Sequence, residues 1–195
     1  MNDTASSTAG NTPGHADIID ATRHWLTRAV IGLNLCPFAK SVHVKGQIRY
    51  AISEATDLEG VLTDLETELR TLADADPAEI DTTLLILPHA LADFLEYNDA
   101  LHFADRLLGQ LRLDGTLQIA SFHPQYQFED TEPDDIENYT NRAPYPILHL
   151  LREDSIERAV DAFPDAADIY ERNQETLRRL GPKGWREWMA RRGED

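Results

Sequence analysis

The stretch QIRYAISEATDLEGVLTDLETELRTLADADPAEIDTTLLIL, residues 47–87, decides the architecture. Over 47–53, Ile48, Tyr50 and Ile52 alternate with polar neighbours, the two-residue period of a half-buried strand. Asp57 then stands ahead of Leu58, Val61, Leu62, Leu65, Leu69 and Leu72, whose three- and four-residue spacing makes the apolar stripe of a helix capped by Asp57. A polar turn around Asp76-Pro77 leads into TTLLIL, 82–87, a continuous apolar run of strand length that reads as covered on both faces. Strand, helix and strand in that order imply a crossover connection and a sheet packed by helices.

Downstream the pattern repeats. Pro88 stops the second strand, a helix is expected over 89–111, Asp114-Gly115 marks a turn, and TLQIASF, 116–122, is a third strand closed by His123-Pro124. Residues 124–146 form a long polar and aromatic connection with one short helix opened by Thr131. ILHLLR, 147–152, is a fourth strand, followed by helices over 154–162 and 165–180 and a last helical segment over 182–191 that carries Trp185 and Trp188. Upstream, Ile18, Thr22, Trp25, Ala29 and Leu33 describe a helix over 16–33. Asn34-Leu35-Cys36-Pro37 interrupts it, and Pro37 suits the first position of a new helix, with Cys36 at or near its cap. The fold class is α/β with about four strands, the first three joined by strand–helix–strand crossovers and flanked by N- and C-terminal helices. No full-length helix precedes the fourth strand, so an antiparallel place in a mixed sheet, the α+β variant, stays open, and pattern alone does not order the strands.

Composition bounds the function. The chain has 195 residues, enough for one domain to bury a core without metals or disulfides, and 16–191 is read as a single globular unit behind a small, polar, disordered tail at 1–15. Eighteen Lys and Arg against 35 Asp and Glu leave a formal charge of -17, which disfavours an extended nucleic-acid track and anionic lipid surfaces. A single cysteine allows no intrachain disulfide and no all-cysteine zinc site. No apolar run approaches membrane-spanning length and no secretory leader is recognisable, so a soluble cytoplasmic protein is expected, with a small-molecule ligand as its partner and no nucleic acid or membrane. The cofactor and the oligomeric state are left open.

Ligands of open parallel sheets sit beyond the carboxyl ends of the strands, which makes the aromatic loop leaving the third strand the candidate site region. Cys36 at a helix start, one turn before Lys40, would carry a depressed thiol pKa and serve as a nucleophile; the alternative is a small hydrophobe packed between Leu35 and Phe38. His123 at a strand end fits a general acid or base, or else an imidazole anchoring a loop through backbone bonds. Arg142 and Asn141 could hold an anionic or amide-bearing substrate beside Tyr126 and Tyr145, or Arg142 could simply brace the loop. Lys40, Lys45 and Arg49 form a local basic group, solvated by default. Cys36, His123 and His149 are the set for a soft metal site, although they come from three unconnected segments and His149 shares its strand face with Ile147 and Leu151. The carboxylates between Glu129 and Glu137 lack calcium-loop spacing. No glycine-rich phosphate loop, HExxH, GxSxG or CxxC occurs.

The runs RHWLTRAVIGLNLCPFAK (23–40), VKGQIRY (44–50), SFHPQYQF (121–128) and TNRAPYPILHLLRE (140–153) resemble those of the bacterial domain-of-unknown-function family numbered 1415, over about residues 18–182. The resemblance implies one compact domain. It places Cys36, His123, Asn141, Arg142 and His149 inside the family's characteristic motifs and assigns none of them a role. Where that family has a serine in the loop motif, this chain has Ala143.

Overall fold

The computed structural model describes residues 13–162 and 168–191. Helix α1 (His15–Trp25) runs directly into a π-helical segment (Leu26–Ile31), and a short α2 (Ala39–Val44) follows. Strand β1 (Ile48–Ile52), helix α3 (Leu58–Asp74) and strand β2 (Thr82–Ile86) form the parallel crossover unit, with Asp57 capping α3 through a bond from the Gly60 amide. Helix α4 (Phe94–Gln110), strand β3 (Leu117–Phe122), a 3-10 turn (Ile136–Thr140), strand β4 (Ile147–Arg152) and helices α5 (Glu153–Asp161) and α6 (Ile169–Ala190) complete the chain. Gly181, at a φ of 66°, breaks α6 ahead of Pro182.

The sheet is mixed, in the order β1-β2-β4-β3. Strand β4 lies antiparallel between β2 and β3, so the β2–α4–β3 crossover spans an extra place, which the last strand fills. Side chains alternate across the sheet plane and feed two cores. On one face α3 and α4 bury Leu65, Leu69, Leu72 and Tyr97 against Ala51, Leu85, Leu148 and Leu150. On the other, α1 and the π segment bury Ile18, Trp25, Ala29 and Val30 against Leu84, Ile86 and Ile147, with Trp185 and Met189 of α6 added at the margin. The all-buried pattern of β2 is what two covered faces require.

Four local expectations shift. The short helix expected to open at Thr131 begins at Ile136, with Asp135 ahead of it, while the Thr131 hydroxyl is taken up by the loop around Phe128 and Asn138. The helix expected from residue 89 begins at Phe94, because the Asp93 carboxylate caps it through the Leu95 and Glu96 amides while Leu91 takes a left-handed φ of 55° that no helix tolerates. The helix expected over 16–33 is α-helical only to Trp25. Its wider π turns admit an extra residue, and the buried stripe steps sideways to include Leu26 and Val30. The segment after Pro37 starts its helix at Ala39 with Phe38 at the cap, leaving Cys36 outside it. Of the tail expected at 1–15, residues 1–12 lie outside the described residues, and His15 already begins α1. The start of the helix expected from 165 lies outside them too. Among the described residues no helix is long and apolar enough to cross a membrane.

Arg152, the last residue of β4, joins the sheet to the end of α3. Its guanidinium donates to the carbonyls of Leu72 (2.5 Å), Ala75 (2.7 Å) and Ile80 (3.1 Å), at the negative end of the helix dipole. Arg152→Met leaves these part-buried carbonyls without their donor and is expected to cost about 2–3 kcal/mol in urea unfolding, against about 1 kcal/mol for removal of the α3 cap by Asp57→Ala.

Candidate functional site

A cavity of about 830 Å³ opens on the α1 face of the sheet. It covers the half of that face where β1, β2 and β3 begin and β4 ends. Helix α1 and the π segment cover the other half, and over the beginning of β1–β3 the described residues that border the cavity come from around α2, from the Pro77-Ala78 turn and from α5. Strand register explains the floor. Leu84, His149 and Ala120 stand side by side across β2, β4 and β3 on this face, and the methyl of Ala120 leaves room above the imidazole. Trp25, Val30 and Phe122 close the inner end, and Cys36 to Ala39 form a wall.

His149 is the polar centre of the floor. The Thr82 hydroxyl lies 2.8 Å from its Nε2 and 2.6 Å from the Leu150 carbonyl. A carbonyl only accepts, so the single hydroxyl proton goes to Leu150, and Nε2–H of His149 donates to Thr82. Nδ1 therefore carries the lone pair and has no hydrogen-bond partner among the described residues. The ring borders the cavity but is enclosed by protein on its other sides, and desolvation lowers its pKa to about 4.

Cys36 borders the same cavity as His149. Contrary to the depressed pKa expected from a helix start, burial pushes the thiol up, and the Phe38 and Ala39 amides offset that only in part. Six-residue α2 supplies too small a dipole to reverse the order. The thiol is protonated at neutral pH.

His123 does not join them. Phe122 points to the cavity face, so alternation turns His123 to the other face, where its fully buried ring lies 5.3 Å from Phe94 and 5.1 Å from Tyr97. Nε2–H donates to the Leu91 carbonyl (3.2 Å) and Nδ1 accepts from the Gln125 amide (3.0 Å). Burial lowers its pKa against the pull of the Leu91 and Ala92 carbonyls. This is the anchoring imidazole, with neither nitrogen left for a substrate. The soft metal set of Cys36, His123 and His149 is thereby split between two sheet faces, and among the described residues no three His, Cys, Asp or Glu side chains converge to hold an ion.

The loop residues are likewise occupied. Arg142 donates to the carbonyls of Tyr126 (3.2 Å) and Pro133 (2.5 Å) and stacks 4.4 Å over the Tyr139 ring, bracing the loop through carbonyls rather than through its carboxylates. Asn141 bonds to the Ser121 carbonyl and accepts the His123 amide with its own. Tyr126 packs between Phe94 and Phe128. Tyr145 packs against the α1-face core, which also buries Ala143. Lys40 is exposed and lies outside the cavity lining, and Arg49 pairs with Glu68 at 2.6 Å. At the carboxyl edge, Glu54 meets His15 and His89, all solvent-accessible.

Thr82, Asp81, Ser155 and Arg158 also border the cavity, and none of them stands in a motif that marks it as a site. The signal for Thr82 was legible: polar residues at the starts of apolar strands need a partner, and His149 sits on a strand face otherwise aliphatic.

The family described as "Protein of unknown function (DUF1415)" matches residues 17–187. No curated protein and no solved structure matches the chain.

Two outcomes check this geometry. His149 is neutral when folded down to about pH 4 but titrates near 6.5 when unfolded, so from pH 6.5 downward the unfolded state binds a proton that the native state refuses. Stability falls with that proton uptake and levels off below about pH 4. Between pH 7.5 and 5 the native protein is expected to lose about 2 kcal/mol more in urea unfolding than His149→Gln. Cys36 is expected to react with a disulfide reagent near neutral pH about tenfold slower or more in the native protein than in urea; equal rates contradict its burial.

Proposed function

The chain belongs to the family described as Protein of unknown function (DUF1415), and from its geometry we propose that it is a small-molecule-binding protein whose site is the cavity on the α1 face of the sheet. The observation that carries this reading is the cavity itself. Its volume of about 830 Å³ falls within the range of ligand sites, and its lining has their usual composition, apolar side chains with a few placed polar groups. His149 Nδ1 offers an acceptor to a ligand hydroxyl or N–H. The Cys36 thiol offers a weak donor and a polarizable surface.

One observation favours a catalytic reading: Cys36 and His149 share the cavity. In it, His149 Nδ1 would take the thiol proton as sulfur attacks a ligand. That transfer runs from a thiol whose pKa burial raises to an imidazole whose pKa burial lowers to about 4, so it is uphill from both sides. Binding without covalent chemistry is the reading that the site supports best. Nor does the electrostatic balance of the chain, at -17, suggest nucleic acid as the partner.

Nile red, a neutral apolar dye, is expected to bind saturably with a blue-shifted emission. Ala120→Phe, which fills the floor beside His149, and Ala159→Trp, which fills the cavity from α5, are each expected to weaken binding at least about tenfold while circular dichroism stays native. Absence of saturable binding, or equal binding by both filled variants, overturns the reading.

A further inference from the structure

We propose that the cavity accepts an amphipathic anion, a ligand with an apolar chain or ring system and a carboxylate or comparable acidic head. This rests on the reading of the cavity as a ligand site and adds the polarity and orientation of the ligand.

Charge is distributed unevenly along the cavity. Its inner end, at Trp25, Leu26, Val30, Leu84, Ala120 and Phe122, carries no ionisable group. The ionisable residues on its border other than Cys36 and His149 all belong to the opposite edge of the sheet. Lys45 follows α2 just before β1, Asp81 precedes β2, Arg152 ends β4, and Arg158 lies on α5. Among the described residues one acidic side chain, Asp81, borders the cavity against three basic ones, Lys45, Arg152 and Arg158. In a protein of net charge -17 this edge is a local reversal of sign.

Hydrogen bonding then separates the charges already committed from those that remain available. The Arg152 guanidinium is turned to the α3 carbonyls. The Asp81 carboxylate accepts from the Ser155 hydroxyl at 2.6 Å, and Ser155 in turn accepts from Arg158 at 3.0 Å. Lys45 and Arg158 have no carboxylate partner among the described residues, although acidic side chains outnumber basic ones in the chain about two to one. An acidic head at this edge meets an ammonium and a guanidinium, which form the stronger, charge-assisted class of hydrogen bond. The apolar part then lies along the floor toward Trp25 and Phe122, and a cationic head is repelled.

Displacement of Nile red by decanoate, decanol and decylamine near neutral pH tests this, because the three share a chain and differ in the charge of the head. Decanoate is expected to compete at about tenfold lower concentration than decanol, with decylamine the weakest. The exposed side chains are replaced in a Lys45→Met, Arg158→Gln double variant, expected to bring decanoate within about twofold of decanol while leaving decanol itself unchanged. Raised salt is expected to narrow the same gap. Equal competition by decanoate and decanol on the native protein overturns the anionic ligand and leaves the cavity reading standing. An advantage of decanoate that survives the double variant in full overturns the assignment to Lys45 and Arg158. Failure of Nile red and decanol to bind at all removes the cavity reading as well.

Discussion

The antiparallel place of β4 between β2 and β3 is the constraint on which the rest of the molecule depends. Its two rows of hydrogen bonds bring residues 147–152 to the centre of the sheet, far in sequence from the β1–α3–β2 unit they pair with. From that place the strand reaches every layer. The Tyr97 hydroxyl on α4 donates to the Ile147 carbonyl at 2.8 Å, Arg152 closes the end of α3, and His149 and Thr82 bond across the other face. The crossovers β1–α3–β2 and β2–α4–β3 run the same way along the sheet with both helices on one face, so the sheet has no point at which they diverge.

The long connection before β4 lies at the carboxyl edge of the parallel strands. Asn138 is fully buried and holds the loop from inside, accepting from the Phe128 amide and the Thr131 hydroxyl and donating to the Glu132 carbonyl. His123, Asn141 and Arg142 serve the same end from its margins, each bonded to main-chain groups. Characteristic polar residues of a loop thus have a physical duty without touching any ligand: an irregular segment packed against a domain must satisfy its own amides and carbonyls, and side chains of fixed geometry are the means.

Space appears where helices are missing. Helix α1 and its π extension cover one half of their sheet face, and the short α2 and nine-residue α5 border the other without filling it. Burial holds the imidazole of His149 neutral and the thiol of Cys36 protonated at the border of that cavity. Its polarity runs along the strands, from aromatic at the inner end to cationic at the outer edge.

What the sequence determined by itself is local and periodic. The alternation of Ile48, Tyr50 and Ile52, the leucine stripe of α3 with Asp57 ahead of it, and the unbroken apolar run of β2 correspond to structure because each follows from a repeat of two or of about 3.6 residues and the burial it demands. The mixed α/β class follows from their order. Even Cys36 and His149 were legible as candidates from residue type and position. Only the tertiary structure decided that β4 inserts between its predecessors, that Phe122 and His123 part to opposite faces, and that Lys45 and Arg158 border one cavity while Arg142 turns inward to its own loop. The reason is physical: strand partners, and with them the neighbours of every side chain, are chosen by packing among segments distant in the chain, and no local periodicity carries that information.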